Sequence, residues 1–299
     1  MAGRRDFIHS EIRRNTMAPK LVAISLLALG LSAAAFAQAK PESRKEYRFN
    51  VNAKPNISVD TQNGAISVKP GSNNLVVVTA TIKSDNVEVD QQQNGNRISI
   101  ASHVLEGKGQ TAGRIDYELL IPAGATVSLR SSTGPLSAER LQGDVSIEGS
   151  DAEVNVRNVE LGHVHVQTMK GNVTLTNVRN GHVELSTISG DIHLKSVSGP
   201  LVHANSGSGK IFYDGDFSAS GDYKFTTHTG DIEALAPSDV SADFRAHSVL
   251  GQVQNDFPLR PQHSRFPSEA GRSFIGTTGK AGSEVVLRSF SGKIRLKQR

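Results

Sequence analysis

His163, His165, His182 and Glu184 carry side chains able to ligate a metal ion, at a regular spacing. His163 and His165 stand two apart, and His182 and Glu184 repeat that spacing 19 residues later. On strands that bury Val164, Val166, Val183 and Leu185, all four would point outward and form a small rectangle. Its sides would be about 6.5 Å along the strand and about 4.8 Å between strands, within reach of one transition metal. The plain alternative is a solvated face on which histidine is one polar choice among many; metal content after tag-free purification separates the two. His193 falls on another face.

A second group lies in residues 256–283, where a repeat described below is interrupted. Arg260, His263, Arg265 and Arg272 interleave there with Phe257, Phe266 and Phe274. Arg260, His263, Arg265, Phe266 and Arg272 are the candidate ligand-binding set, suited to anionic or glycan ligands by charge and ring stacking. The competing reading is a loop folded over the end of the domain with its phenylalanines buried.

Other chemistries fall away. The chain has no Cys, which excludes disulfides, thiolate nucleophiles, iron–sulfur clusters, cysteine zinc sites and a lipoprotein anchor. Neither a G-x-S-x-G elbow nor an H-E-x-x-H helix occurs. The run Asn205 to Lys210 imitates a phosphate loop, but Ala204 stands where its first glycine belongs and Ile211 replaces the Ser/Thr, so it reads as a corner. Gly-Asp pairs at Asp144, Asp191, Asp216, Asp222 and Asp231 are too irregular for calcium repeats and read as corner residues bonding their own backbone. Glu148, Glu153 and Glu184 fall on different sheets or coils, so the paired carboxylates of a glycan hydrolase do not form. No catalytic residue and no cofactor are expected.

The elements that position these residues come from a repeat. The phrases GDVSIEG, AEVNVRN, GHVHVQT, GNVTLTN, GHVELST, GDIHLKS, GPLVHAN and GKIFYDG follow one another, led by Val145, Val154, Val164, Val173, Val183, Ile192, Leu201 and Ile211. Apolar residues at i and i+2 mark half-buried strands and exclude helix. A two-strand period of 18–19 residues with glycine corners predicts an all-β, parallel β-helix-like solenoid, two strands per coil. Met169, Val178, Ile188 and Val197, each shortly before a glycine, are expected to turn inward at the corners.

Residues 40–122 form a strand-rich N-terminal part read as a cap, with hairpin signals at Asn63-Gly64 and Asn94-Gly95. Residues 123–299 hold the repeats and the 256–283 loop. The last strand, Lys293 to Arg299, carries charge at every second position, as an edge strand protected from pairing would.

Residues 1–39 read as a leader and secretory signal. From Met17 a short basic start precedes LVAISLLALGLSAAAFAQA, with cleavage expected after Ala37 or Ala39. No membrane span is expected to remain after cleavage. Removing 1–39 takes away five basic and two acidic groups, so the formal charge of +4 falls to +1 and nucleic acid is not an expected partner. The expected location is periplasm, cell surface or medium.

The phrases TISGDIHLKSVSGPL, TGDIEAL and SFSGKIRL, with IDYELLIPAG ahead of them, resemble the bacterial "putative adhesin" family, a domain of unknown function, over residues 46–299. The resemblance implies an exported β-helix-like domain with an adhesive or envelope role, and it supplies no catalytic motif. The expected function is a non-enzymatic binding or structural module, with a glycan, an envelope polymer or a membrane-associated protein as partner. The rivals are a polysaccharide-active β-helix enzyme and a periplasmic envelope-stress scaffold.

Overall fold

In the computed structural model the described residues are 42–105, 113–261 and 271–299. They hold strands and no helix, so none is long and apolar enough to cross a membrane. The chain winds between two sheets, of 12 and 13 strands, whose inner faces share one apolar core. Through the middle, Val145–Asp151, Val164–Lys170, His182–Ser189 and Leu201–Ser206 lie side by side in the 13-stranded sheet. Val154–Glu160, Val173–Arg179, Ile192–Lys195 and Ile211–Asp214 do the same in the other.

Registers follow the repeat. Val145, Val164, Val183 and Val202 align on adjacent parallel strands, 19 residues apart at each step. The leading residue of the fourth coil is therefore Val202 and not Leu201, which is only partly buried. Valine stacks on valine, so each coil buries the residues that alternation placed inward, and the sheet faces them with β-branched side chains that suit a pleated surface.

Two features put the corners in phase. In the 12-stranded sheet Arg140, Asn158, Asn177 and Ser196 adopt left-handed backbone, with φ of 56°, 55°, 61° and 53°. That breaks the alternation, so the next residue, Leu141, Val159, Val178 or Val197, turns into the core. Asparagine tolerates this conformation better than most residues. No such residue interrupts Val164–Lys170 or His182–Ser189. Alternation runs on there, Thr168 and Thr187 take the last inward places, and Met169 and Ile188 face solvent, 54% and 63% exposed. The inward expectation thus holds for Val178 and Val197 and fails for Met169 and Ile188.

At Ser206, Thr227 and Ser289 the inward hydroxyl also holds the glycine that follows three residues later. Ser206 Oγ accepts the Gly209 N–H at 2.8 Å and donates to the Gly190 carbonyl of the previous coil at 3.0 Å. Thr227 does the same with Gly230 and Gly209, and Ser289 with Gly292 and Gly230. One hydroxyl closes its own turn and ties it to the neighbouring coil. A Cβ on Gly190 would collide with the Gly171 carbonyl oxygen, so this row must be glycine for stacking reasons.

The aspartate corners work differently from expectation. Asp144 accepts the N–H of His163, Asp191 that of Lys210 and Asp231 that of Lys293. Each bonds the backbone of an adjacent coil, not its own.

The ends depart from chain order. Ser283–Ser289 and Ile294–Gln298 insert between the coil of Asp222–Thr227 and Ile232–Ala236 and the strands Ala242–Ser248 and Val253–Asn255. The last strand is therefore internal, and its charges have partners. Lys297 pairs with Glu233 at 3.1 Å, Arg295 with Asp231 and Glu233, and Arg299 with Asp214 at 3.2 Å. Edge protection is not what they serve.

At the other end, Asn56–Asn63 and Ile66–Pro70 stack parallel on Thr126–Thr133 and Leu136–Glu139. Arg97–Val104 and Ile115–Ile121 form the next coil outward. At this end Val87–Asn94, Leu75–Ile82 and Ser43–Asn50 are antiparallel, as Ser273–Thr277 is at the other. Gly95 lies in a hairpin turn, whereas Gly64 is a corner between sheets. The outer strands Ser43–Asn50 and Val87–Asn94 carry charged and amide side chains, which deter further pairing.

Candidate functional site

The predicted histidine rectangle forms in register, as two pairs. His163 and His182 stack face to face, ring centres 4.6 Å apart and 5° from parallel. His165 Nδ1 faces Glu184 Oε2 at 3.6 Å. The four divide into two pairs, and among the described residues no three metal-ligating side chains gather about one point.

Of the loop set, His263, Arg265 and Phe266 lie outside the described residues. Arg260 is exposed and donates to the Gly279 carbonyl. Arg260 pairs with Thr277 and Arg272 precedes Ser273, so the two arginines sit at opposite ends of Ser273–Thr277. Phe257 is buried against Phe244, ring centres 5.9 Å apart, and Phe274 packs on the core. These two phenylalanines belong to the interior.

A site that sequence reasoning missed runs along the corner where the 13-stranded sheet ends. Its inner border is the buried hydroxyl row, Thr168, Thr187, Ser206, Thr227, Ser289 and Ser248. One residue earlier on each strand lies an outward polar row, Gln167, Ser186, Asn205, Thr226, Arg288 and His247. One residue later lies a ridge, Met169, Ile188, Gly207, His228, Phe290 and Val249. Five of the large apolar side chains left exposed, Met169, Ile188, Val249, Leu250 and Phe290, sit on this corner.

Between row and ridge the surface is grooved. One depression, about 500 Å³, spans the rungs from Ile188 to Val249, and a second of about 260 Å³ continues from Ile188 toward Arg130. His228 and Phe290 stack on adjacent rungs, ring centres 4.7 Å apart and 8° from parallel. The larger depression has no acidic lining residue, and Arg288 has no ion pair among the described residues. In the smaller one Glu148 is held by Arg130 at 2.7 Å. The arrangement offers apolar contact on one side, hydrogen bonds on the other and one uncommitted guanidinium. The sequence signal was alternation running on through Thr168 and Thr187, which leaves Met169 and Ile188 facing outward.

Elsewhere, charge is used structurally. Burial pushes the Asp116 carboxyl up, but the Lys83 ammonium at 2.6 Å, the Ala65 N–H and the Arg114 guanidinium outweigh it and hold the group below the usual carboxylate range. Burial likewise pushes Asp222 up, and Lys224 and His203 outweigh it and hold the group below the usual carboxylate range.

Residues 54–297 match the family described as Toastrack DUF4097, and the chain is a member of it. Similar solved structures include a "putative adhesin" from Bacteroides fragilis, 13% identical, covering 85% of this chain and 97% of that one with a TM-score of 0.48. Others are a "putative cell adhesion protein" from Clostridium sporogenes, 12% identical over 86% and 100% with a TM-score of 0.31, and a "Putative lipid binding protein" from Parabacteroides distasonis, 11% identical over 86% and 97% with a TM-score of 0.30. No curated protein matches the chain.

Proposed function

We propose that the protein is an exported, non-enzymatic binding module of the bacterial envelope, and that the corner groove is its binding face. The observation that carries the reading is the groove itself: over six rungs a polar row runs beside a ridge whose side chains on four rungs, Met169, Ile188, Phe290 and Val249, are apolar and exposed. A soluble protein that leaves its large apolar side chains exposed in a row, and not scattered, has a use for them. The leader at residues 17–39 supports export. The placement of the carboxylates that a glycan-cleaving rival would use favours binding over catalysis: Glu148 and Glu184 stand on strands separated by Val164–Lys170, and Glu153 lies beside the other sheet.

The test has two parts. Protease shaving of intact cells carrying an epitope tag within residues 256–283, with and without outer-membrane permeabilisation, reports the compartment; a tag protected even after permeabilisation contradicts export. Envelope polysaccharides incubated with the purified protein are then sized. The reading expects retention with unchanged chain length, and progressive shortening would replace it with the enzyme.

A further inference from the structure

The ridge has a gap at Gly207. Ile188, Gly207 and His228 occupy successive rungs, and the middle one has no side chain. Parallel rungs are about 4.8 Å apart, so the Ile188 and His228 positions are separated by roughly 9.6 Å. One face of the His228 ring is covered by Phe290, and the near-parallel stack directs the other face toward the gap. Non-bonded contact takes about 3.5 to 4.0 Å on each side of an inserted group. The gap therefore admits one ring between two walls and not two.

The edge of this slot is polar. Ser186, Asn205 and Thr226 stand in the outward row on the same three rungs, with Arg288 on the fourth. These groups offer hydroxyl, amide and guanidinium hydrogen bonds beside an aromatic face and an aliphatic side chain. An aromatic side chain would use the walls and leave that rim idle. A sugar ring, with apolar C–H faces and a hydroxyl edge, uses both.

We propose that the slot over Gly207 binds one pyranose ring of an acidic glycan, its face on His228, its hydroxyls on Asn205, Ser186 and Thr226, and the carboxylate of that or the adjoining sugar on Arg288. The proposal rests on the groove being the binding face. The absence of acidic groups from the depression and the uncommitted Arg288 select an anionic sugar over a neutral one. The phosphate-loop look-alike at Asn205 to Lys210 thus acquires a role that needs no phosphate: its Gly207 makes the slot.

Gly207 is a poor residue to mutate, because a Cβ there would press on the Ile188 carbonyl oxygen at 2.5 Å. The exposed rim is better suited. The purified protein is titrated calorimetrically with tetragalacturonate and with neutral maltotetraose, beside Asn205→Trp, His228→Ala and Arg288→Ala. The expected result is binding of the acidic sugar, abolished by Asn205→Trp, weakened about tenfold or more by His228→Ala, and reduced by Arg288→Ala to the level of the neutral sugar, with unchanged melting temperatures. Equal binding of both sugars or indifference to Asn205→Trp overturns it. If neither sugar binds while the protein still retains envelope polymer, the slot assignment fails and the binding-module reading stands. If no envelope polymer is retained, both fail.

Discussion

Ser206 is a hydroxyl with two tasks, closing the turn to Gly209 and reaching the Gly190 carbonyl of the coil before. Ser206→Ala leaves both buried partners without it. Such a loss costs about 1 to 3 kcal/mol, so the melting temperature should fall by several degrees. The same change at exposed Ser208, whose contact to the Ile188 carbonyl is long at 3.4 Å, should be close to silent in the same thermal scan. Gly190→Ala tests stacking. Its methyl group would strike the Gly171 carbonyl, and the expected outcome is a larger loss than Ser206→Ala or failure to accumulate folded protein. An unaltered melting curve for Gly190→Ala would mean that the coils are not packed as described.

Among the elements, the coil of Ile115–Ile121 makes stability depend on pH at both ends. Asp116 has a lowered pKa when folded, so its contribution is present above the unfolded value of about 3.9 and disappears as pH falls through the folded one. Acid denaturation followed by far-ultraviolet circular dichroism should show a shallower acid limb in Asp116→Asn. Tyr117 behaves oppositely. Burial raises its pKa to about 12, so its contribution is intact below the unfolded value of about 10 and is lost as pH climbs through 12. Tyr117→Phe should unfold at higher pH than the unaltered protein.

The elements also show how far sequence reading reaches. Strand words and their 18–19-residue period were legible because alternation and register share one physical cause, the burial of every second side chain. The corner phase was not, because it depends on backbone sign at Asn158, Asn177 and Ser196, and on whether a hydroxyl or a valine takes the last inward place. Reading Met169 and Ile188 as inward hid the ridge, and with it the site. Chain order misled at the C-terminus, since nothing local in Ser283–Ser289 or Ile294–Gln298 tells that they insert beneath strands that precede them.

At the scale of the molecule, two sheets closed against each other leave function to the outside of the stack. A solenoid presents each outward position as a row, one residue per rung, so a single phase choice at the corners produces a long amphipathic groove. The measurement that tests this account most directly is retention of envelope polysaccharide on the immobilised protein, compared with Ile188→Asp and Phe290→Asp. Both side chains are exposed, so the variants should melt as the unaltered protein does. The account predicts polymer retained undegraded by the unaltered protein and lost, by about tenfold or more in apparent affinity, in both variants. Retention that is unchanged in both would place the binding face elsewhere and contradict it.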